Sequence, residues 1–108
     1  MNYKKGSQTR GSMGGVMSYV MQEKKTMWEG QQLVSGINCQ PQSVYNDFLN
    51  TKLLYHKDSG VMFYHMVQSF PRGEQIDPRQ AHEAARRLAE YFSGCEVLVC
   101  THVDRDHI

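Results

Sequence analysis

With 108 residues, 40% of them hydrophobic, and a net charge of +1, the chain is long enough for one domain with a modest core. With charge so nearly balanced, the composition does not announce a nucleic-acid binder, and no apolar run approaches the roughly 18 residues of a membrane span. Three cysteines, Cys39, Cys95 and Cys100, lack paired spacing and follow no signal-like apolar start, which points to reduced thiols in a cytoplasm and away from a zinc knuckle.

Residues 1–15 hold four of the nine glycines and show no apolar alternation. No strand is expected there, and residues 1–12 read as flexible. Lys4, Lys5, Arg10, Lys24 and Lys25 gather positive charge in this first quarter, either as a solvated terminus or as a grip on phosphates. Met13, Val16, Met17, Val20 and Met21 then recur with helical period, predicting a helix with one buried stripe. Tyr19 lies about 100° off the centre of that stripe, so its hydroxyl is free to point along a cleft.

From Glu23 to Gln40 the chain is polar apart from a few apolar residues and reads as a long connection with one short extended piece. Trp28, the single tryptophan, is either a partial core plug or a platform for an unpaired base. Pro41 suits a first helical turn, and the helix should run to about residue 55. Val61 to Phe70 reads as a strand apolar on both faces, which suits a central position, and would carry His65 next to the following strand.

Asp77 as N-cap, Pro78 at N1 and Gln80 at N3 open a helix whose expected buried stripe is Ala81, Ala84, Ala85, Leu88, Tyr91 and Phe92, stopping at Gly94. His82 then falls on its exposed face, and His56 at a helix end; neither is given a role. Cys95 to Val103 is the next strand. Strand, helix and strand in succession make a parallel crossover the default pairing. Alternation puts His102 and Asp104 on one side of this strand with Leu98 and Cys100, and Thr101 and Val103 on the other. Asp106 and His107 follow closely, so ligands suited to a divalent ion concentrate at this end.

The run from Thr101 to Ile108 resembles the metal motif of the plasmid-mobilisation relaxases, a branch of the HUH endonucleases, written His-x-Asp-x-Asp-His-x-His-x-His. Ser18 to Thr26 resembles that family's tyrosine motif, and Leu33 to Cys39, Tyr64 to Phe70 and the helix from Pro78 follow in the family's order, so the resemblance covers Met17 to Ile108. It implies an α+β fold, a small antiparallel palm-like sheet with helices packed on one face, spanning 1–108 as the amino-terminal part of a relaxase catalytic domain and ending before the last metal-ligand strand.

The resemblance also implies that Tyr19 attacks DNA at a transfer origin to leave a 5′-phosphotyrosyl adduct, assisted by Mn²⁺ or Mg²⁺. His102, Asp104 and His107 are the candidate metal residues, and Arg10, Lys24 and Lys25 the candidate DNA contacts. The family's last two histidines do not occur before Ile108, so weak or absent metal occupancy and little activity are expected of this segment alone. The expected partners are single-stranded DNA, accessory mobilisation proteins and a second copy paired through an exposed sheet edge. A replication initiator of the HUH type and a non-catalytic DNA-binding or assembly module remain the alternatives.

Overall fold

The structure is a computed structural model that describes residues 2–4, 8–55, 63–69, 76–92 and 94–104. His107 and Asp106, as well as His56, lie outside the described residues.

The first strand, β1 (Asn2–Lys4), forms where the sequence suggested none, pairing antiparallel with β5 (His65–Val67) so that Tyr3 lies opposite Met66. A ladder is built from backbone N–H and C=O groups that every non-proline residue carries, so it can form without the apolar alternation that would announce it. Within the expected Val61–Phe70 strand only these three residues are strand among those described, and Tyr64 and Met66 are exposed. The partner of β5 is β1, so His65 pairs with Lys4 and not with the strand that leads to His102.

Helix α1 (Arg10–Val20) starts ahead of its apolar stripe because Thr9 caps it: Thr9 Oγ1 accepts from Ser12 N at 3.0 Å and Ser12 Oγ accepts from Thr9 N at 3.1 Å. A reciprocal cap of this kind contributes about 1 kcal/mol. Met13 and Met17 are buried as the stripe predicts and form the core with Val44 of α3 (Val44–Leu54), which follows a 3-10 turn at Pro41–Ser43. Gly14 permits this packing, since a Cβ there would stand 3.3 Å from the Tyr45 ring.

The connection after α1 is more structured than expected. A single turn, α2 (Glu23–Thr26), leads into a hairpin of β2 (Met27–Trp28) and β3 (Gln31–Gln32). Its two-residue turn places Glu29 at φ +47° and Gly30 at φ +81°, as a type I′ turn requires. Glycine at only one of the two positions left that turn weakly signalled.

Strand β4 (Val34–Ile37) pairs antiparallel with β6 (Val97–Cys100), Ser35 opposite Val99 and Gly36 opposite Leu98. The antiparallel pairing is the one the family resemblance implied, and the parallel crossover does not occur among the described strands. Beyond Cys100 the chain stays extended and pinned, Thr101 N donating to Leu33 O at 3.0 Å and Val103 N to Lys25 O at 2.6 Å.

Helix α4 (Pro78–Ala89) is capped by Asp77, which accepts from Arg79 N at 2.8 Å. Its buried residues are Pro78, Ala81, His82 and Ala89, whereas Ala84, Tyr91 and Phe92 are exposed, so the buried stripe is rotated from the expected one and takes in His82. Small alanines let α4 approach the face of the ladder that carries Ser35, Val99 and Thr101. Leu98, on the opposite face, packs against the Met13 cluster. The fold is α+β with antiparallel pairs, as the resemblance implied, with α4 packed on one face of the β4–β6 ladder and Leu98 reaching the Met13 cluster from the other.

Candidate active site

Three segments distant in sequence meet at one place: the end of α1, the turn α2, and the extended residues after β6. Tyr19 is half-exposed at 52% and its ring meets that of His102 edge-on, centroids 6.4 Å apart and planes at 75°. His102 Nε2 lies 3.0 Å from the carbonyl of Val20. A carbonyl only accepts, so Nε2 carries the proton and donates, leaving Nδ1 as the nitrogen with a free lone pair. The bond also satisfies a carbonyl at the end of α1, and thereby fixes the helix end that holds Tyr19 to the strand that holds His102.

Asp104, two residues on along the same side of the chain, does not stand alone. Its Oδ2 accepts from Lys25 Nζ at 3.0 Å, and the same ammonium lies 4.6 Å from the centroid of the Tyr19 ring. The Asp104 carboxylate and then the Tyr19 hydroxyl outweigh burial and raise the Lys25 pKa above lysine's ordinary value. In return the Lys25 hydrogen bond holds the Asp104 carboxyl below the usual carboxylate range.

The expected alternation along 101–104 therefore holds, and the structure brings Tyr19, Lys25, His102 and Asp104 together. Arg10 and Lys24 are exposed, Arg10 in the first turn of α1 and Lys24 in α2. Lys25, by contrast, is buried. Trp28 is half-buried, and its indole N–H has no hydrogen-bond partner among the described residues.

His82 is the residue that sequence reasoning missed. Its Nε2 is 2.7 Å from Ser35 Oγ and its Nδ1 2.8 Å from Thr101 Oγ1, so one imidazole ties α4 to both strands of the ladder, one residue before His102. Hydroxyls donate or accept as needed, so the neutral ring is fully satisfied. Burial, with Arg86 nearby, lowers its pKa. The signal was the helical register itself: His82 follows Ala81 on the stripe that starts at Pro78.

Residues 19–108 match the family model described as "Relaxase: MobA/VirD2-like, nuclease domain". The chain belongs to this family. Among relatives of the relaxase domain, protein rlx of Staphylococcus aureus is 36% identical over 74 residues, 68% of this chain and 23% of rlx. The group II intron-interrupted relaxase LtrB of Lactococcus lactis subsp. cremoris is 39% identical over 54 residues, 48% of this chain and 10% of LtrB. The chain thus spans less than a quarter of the length of these curated relatives. No solved structure matches it.

Relaxase nuclease domains are generally metal-dependent, which makes the donor set worth testing against a divalent ion. Among the described residues no three His, Cys, Asp or Glu side chains gather as a metal-binding group. His102 offers one donor nitrogen, Nδ1, and Asp104 offers a carboxylate that Lys25 already neutralises. These are suitable donor types for Mn²⁺ or Mg²⁺, but too few to hold one firmly without ligands from outside the described residues. Among the described residues, no helix is long and apolar enough to cross a membrane.

Proposed function

We propose that this relaxase segment carries the nucleophile of a DNA-nicking reaction used in mobilisation, with Tyr19 attacking a phosphodiester of single-stranded DNA at a transfer origin. The observation that carries the reading is the meeting of a half-exposed tyrosine hydroxyl side chain with His102 across the fold. In the reaction the phenol oxygen forms a bond to phosphorus, the bond from phosphorus to the 3′ oxygen breaks, the phenol loses its proton, and the leaving oxygen gains one. The products are a 5′-phosphotyrosyl DNA and a free 3′-hydroxyl.

The chain's own residues divide the work. The Val20–His102 bond fixes the helix end that carries Tyr19 against the strand that carries His102, and preorganisation of this kind removes entropy from the barrier. Lys25 places positive charge beside the ring, where the anionic phosphate must come for Tyr19 to attack it. His102, with His107 and ligands outside the described residues, would hold Mn²⁺ or Mg²⁺, whose chemistry there is neutralisation of phosphate charge. With a single imidazole among the described residues, residues 1–108 alone should bind such an ion weakly and nick poorly. Arg10 and Lys24 would contact phosphates along the bound strand.

The test is a covalent-adduct assay on the protein in its native reading frame, using labelled oligonucleotides tiled across the transfer origin of its own genetic element. Wild type should give a denaturant-stable DNA adduct, and Tyr19→Phe should give none. An adduct that persists in Tyr19→Phe assigns the attack to another residue, and no adduct from wild type leaves the binding-module reading.

A further inference from the structure

Lys24 and Lys25 are neighbours with opposite environments: Lys24 is exposed, and Lys25 is buried, with 7% of its surface accessible. An ammonium is taken out of water only where charge and hydrogen bonds compensate it. Among the described residues the one carboxylate partner of Lys25 is Asp104, 79 positions away, and that side chain is 26% exposed. An ion pair of this kind is a poor way to gain stability, since a well-packed apolar pair serves as well or better. Its placement is specific in another respect. The ammonium lies 4.6 Å from the Tyr19 ring centroid, so the pair stands over the side chain proposed as nucleophile.

An ammonium has three donors, and Asp104 accepts from one of them. A phosphate is the stronger competitor for the remainder, offering several anionic oxygens where Asp104 offers one contact. The Lys25 main chain does not have to move for such an exchange, because its carbonyl is held by Val103 N at 2.6 Å while the long side chain turns.

We propose that Lys25 is a phosphate ligand of the nicking site that Asp104 holds in reserve: without DNA its ammonium rests on Asp104 above Tyr19, and a DNA phosphate arriving beside Tyr19 takes it over. The inference rests on the nicking reading for its location and adds a residue and an exchange to it. The exchange also releases the Asp104 carboxylate, which explains why a candidate ion ligand is engaged by a lysine.

The experiment measures binding of a fluorescein-labelled single-stranded oligonucleotide of mixed sequence by anisotropy, in EDTA, across a salt series. Lys25→Met should weaken binding several-fold and flatten the log–log salt dependence by about 0.7, the share of one phosphate contact on a single strand. Asp104→Asn should have the opposite sign and tighten binding, because the ammonium is no longer held back. A purely structural ion pair makes both variants bind equally worse or leaves both unchanged, and either result overturns the proposal. Should Lys25→Met fail to fold, the Lys25 ¹³Cε resonance of wild type, assigned with Lys25→Arg, decides: it should shift on adding the oligonucleotide, and a fixed resonance overturns the exchange. Nicking and binding are read separately. Opposite signs for the two variants alongside an adduct in Tyr19→Phe would sink the nucleophile reading alone, and the converse pattern would sink this one alone.

Discussion

Residues 99–104 present two faces that solve the same problem differently. On one, Thr101 meets His82, and His82 meets Ser35, all neutral and close, with Thr101 and His82 buried and Ser35 half-buried. On the other, His102 and Asp104 meet a half-exposed tyrosine and a lysine, with one full ion pair and an aromatic ring open to solvent. The closed face spends its polar groups on each other and has nothing left to offer a ligand. The open face keeps Nδ1 of His102, donors on Lys25 and the Tyr19 hydroxyl side chain within reach of one another. Two adjacent residues, Thr101 and His102, thus belong to a clamp and to a site, and the first holds the second in place.

The comparison breaks most sharply at His82. His82→Ala should remove a buried ring and leave two hydroxyls unpaired, costing about 3 kcal/mol in thermal or denaturant unfolding. Asp104→Asn, which acts at the open face, should cost clearly less. A His82→Ala protein as stable as wild type would mean that the closed face is no clamp, and that His102 is held by Val20 alone.

Much of this architecture was readable beforehand, for particular reasons. Alternation along a strand is a strict geometric rule, so the pairing of His102 with Asp104 on one side followed from spacing alone. The Asp77 N-cap of α4 and the Met13 and Met17 stripe are local signals and were equally plain, whereas the helix ends at Ala89 with Glu90 as C-cap, short of the expected stop at Gly94. What escaped depends on partners remote in sequence. The partner of β6 is β4, over sixty positions upstream, and nothing in either strand names the other. The burial of Lys25 escaped for the same reason, because a lysine beside another lysine reads as solvated surface until Asp104 is brought against it. His82 was lost to a rotated stripe: expecting Tyr91 and Phe92 inside turned the helix by the wrong angle, since bulky aromatics outweigh alanines in any sequence count. Alanines were chosen by packing, because only small residues let α4 come close to the ladder.

Acid titration sharpens the contrast, because the two faces respond in different windows. The folded pKa of His82 lies below the ordinary imidazole value, so the unfolded chain takes up its proton first and stability falls as pH drops below about 6.5. The Asp104 carboxyl is likewise held low, so its contribution is present above the ordinary carboxylate range and fades only as pH falls through that lower folded value. Melting temperature followed from pH 8 to pH 5 should therefore report His82 and leave Asp104 silent. His82→Asn keeps amide partners for the two hydroxyls and cannot titrate, so it should flatten that part of the slope. The neighbouring Glu83, held below the usual carboxylate range by its hydrogen bond from Arg86, stays charged throughout the window. An unchanged slope in His82→Asn would place the acid response on other histidines.

The smallest effect, and the most local, concerns the strand beneath the open face. Cys100 shares that side of β6 with His102, and burial pushes its thiol up to about 12. Burial also raises Cys39, whose Sγ donates to the Val97 carbonyl at 3.5 Å. Cys95, by contrast, is a free thiol in the open. The thiolate is the species that alkylates, so brief iodoacetamide treatment at pH 8 should add one carbamidomethyl group, at Cys95, with Cys39 and Cys100 reacting only in denaturant. The stability of the fold hardly changes in this experiment, yet it reads the rigidity of the site. Labelling of Cys100 at the rate of Cys95 would show that the strand opens without global unfolding, and a strand that opens cannot hold His102 against Tyr19 in one geometry. Protection of Cys100 under conditions where Cys95 is fully labelled would instead place the open face on a floor as firm as the closed one, with mobility confined to the side chains of Tyr19 and Lys25.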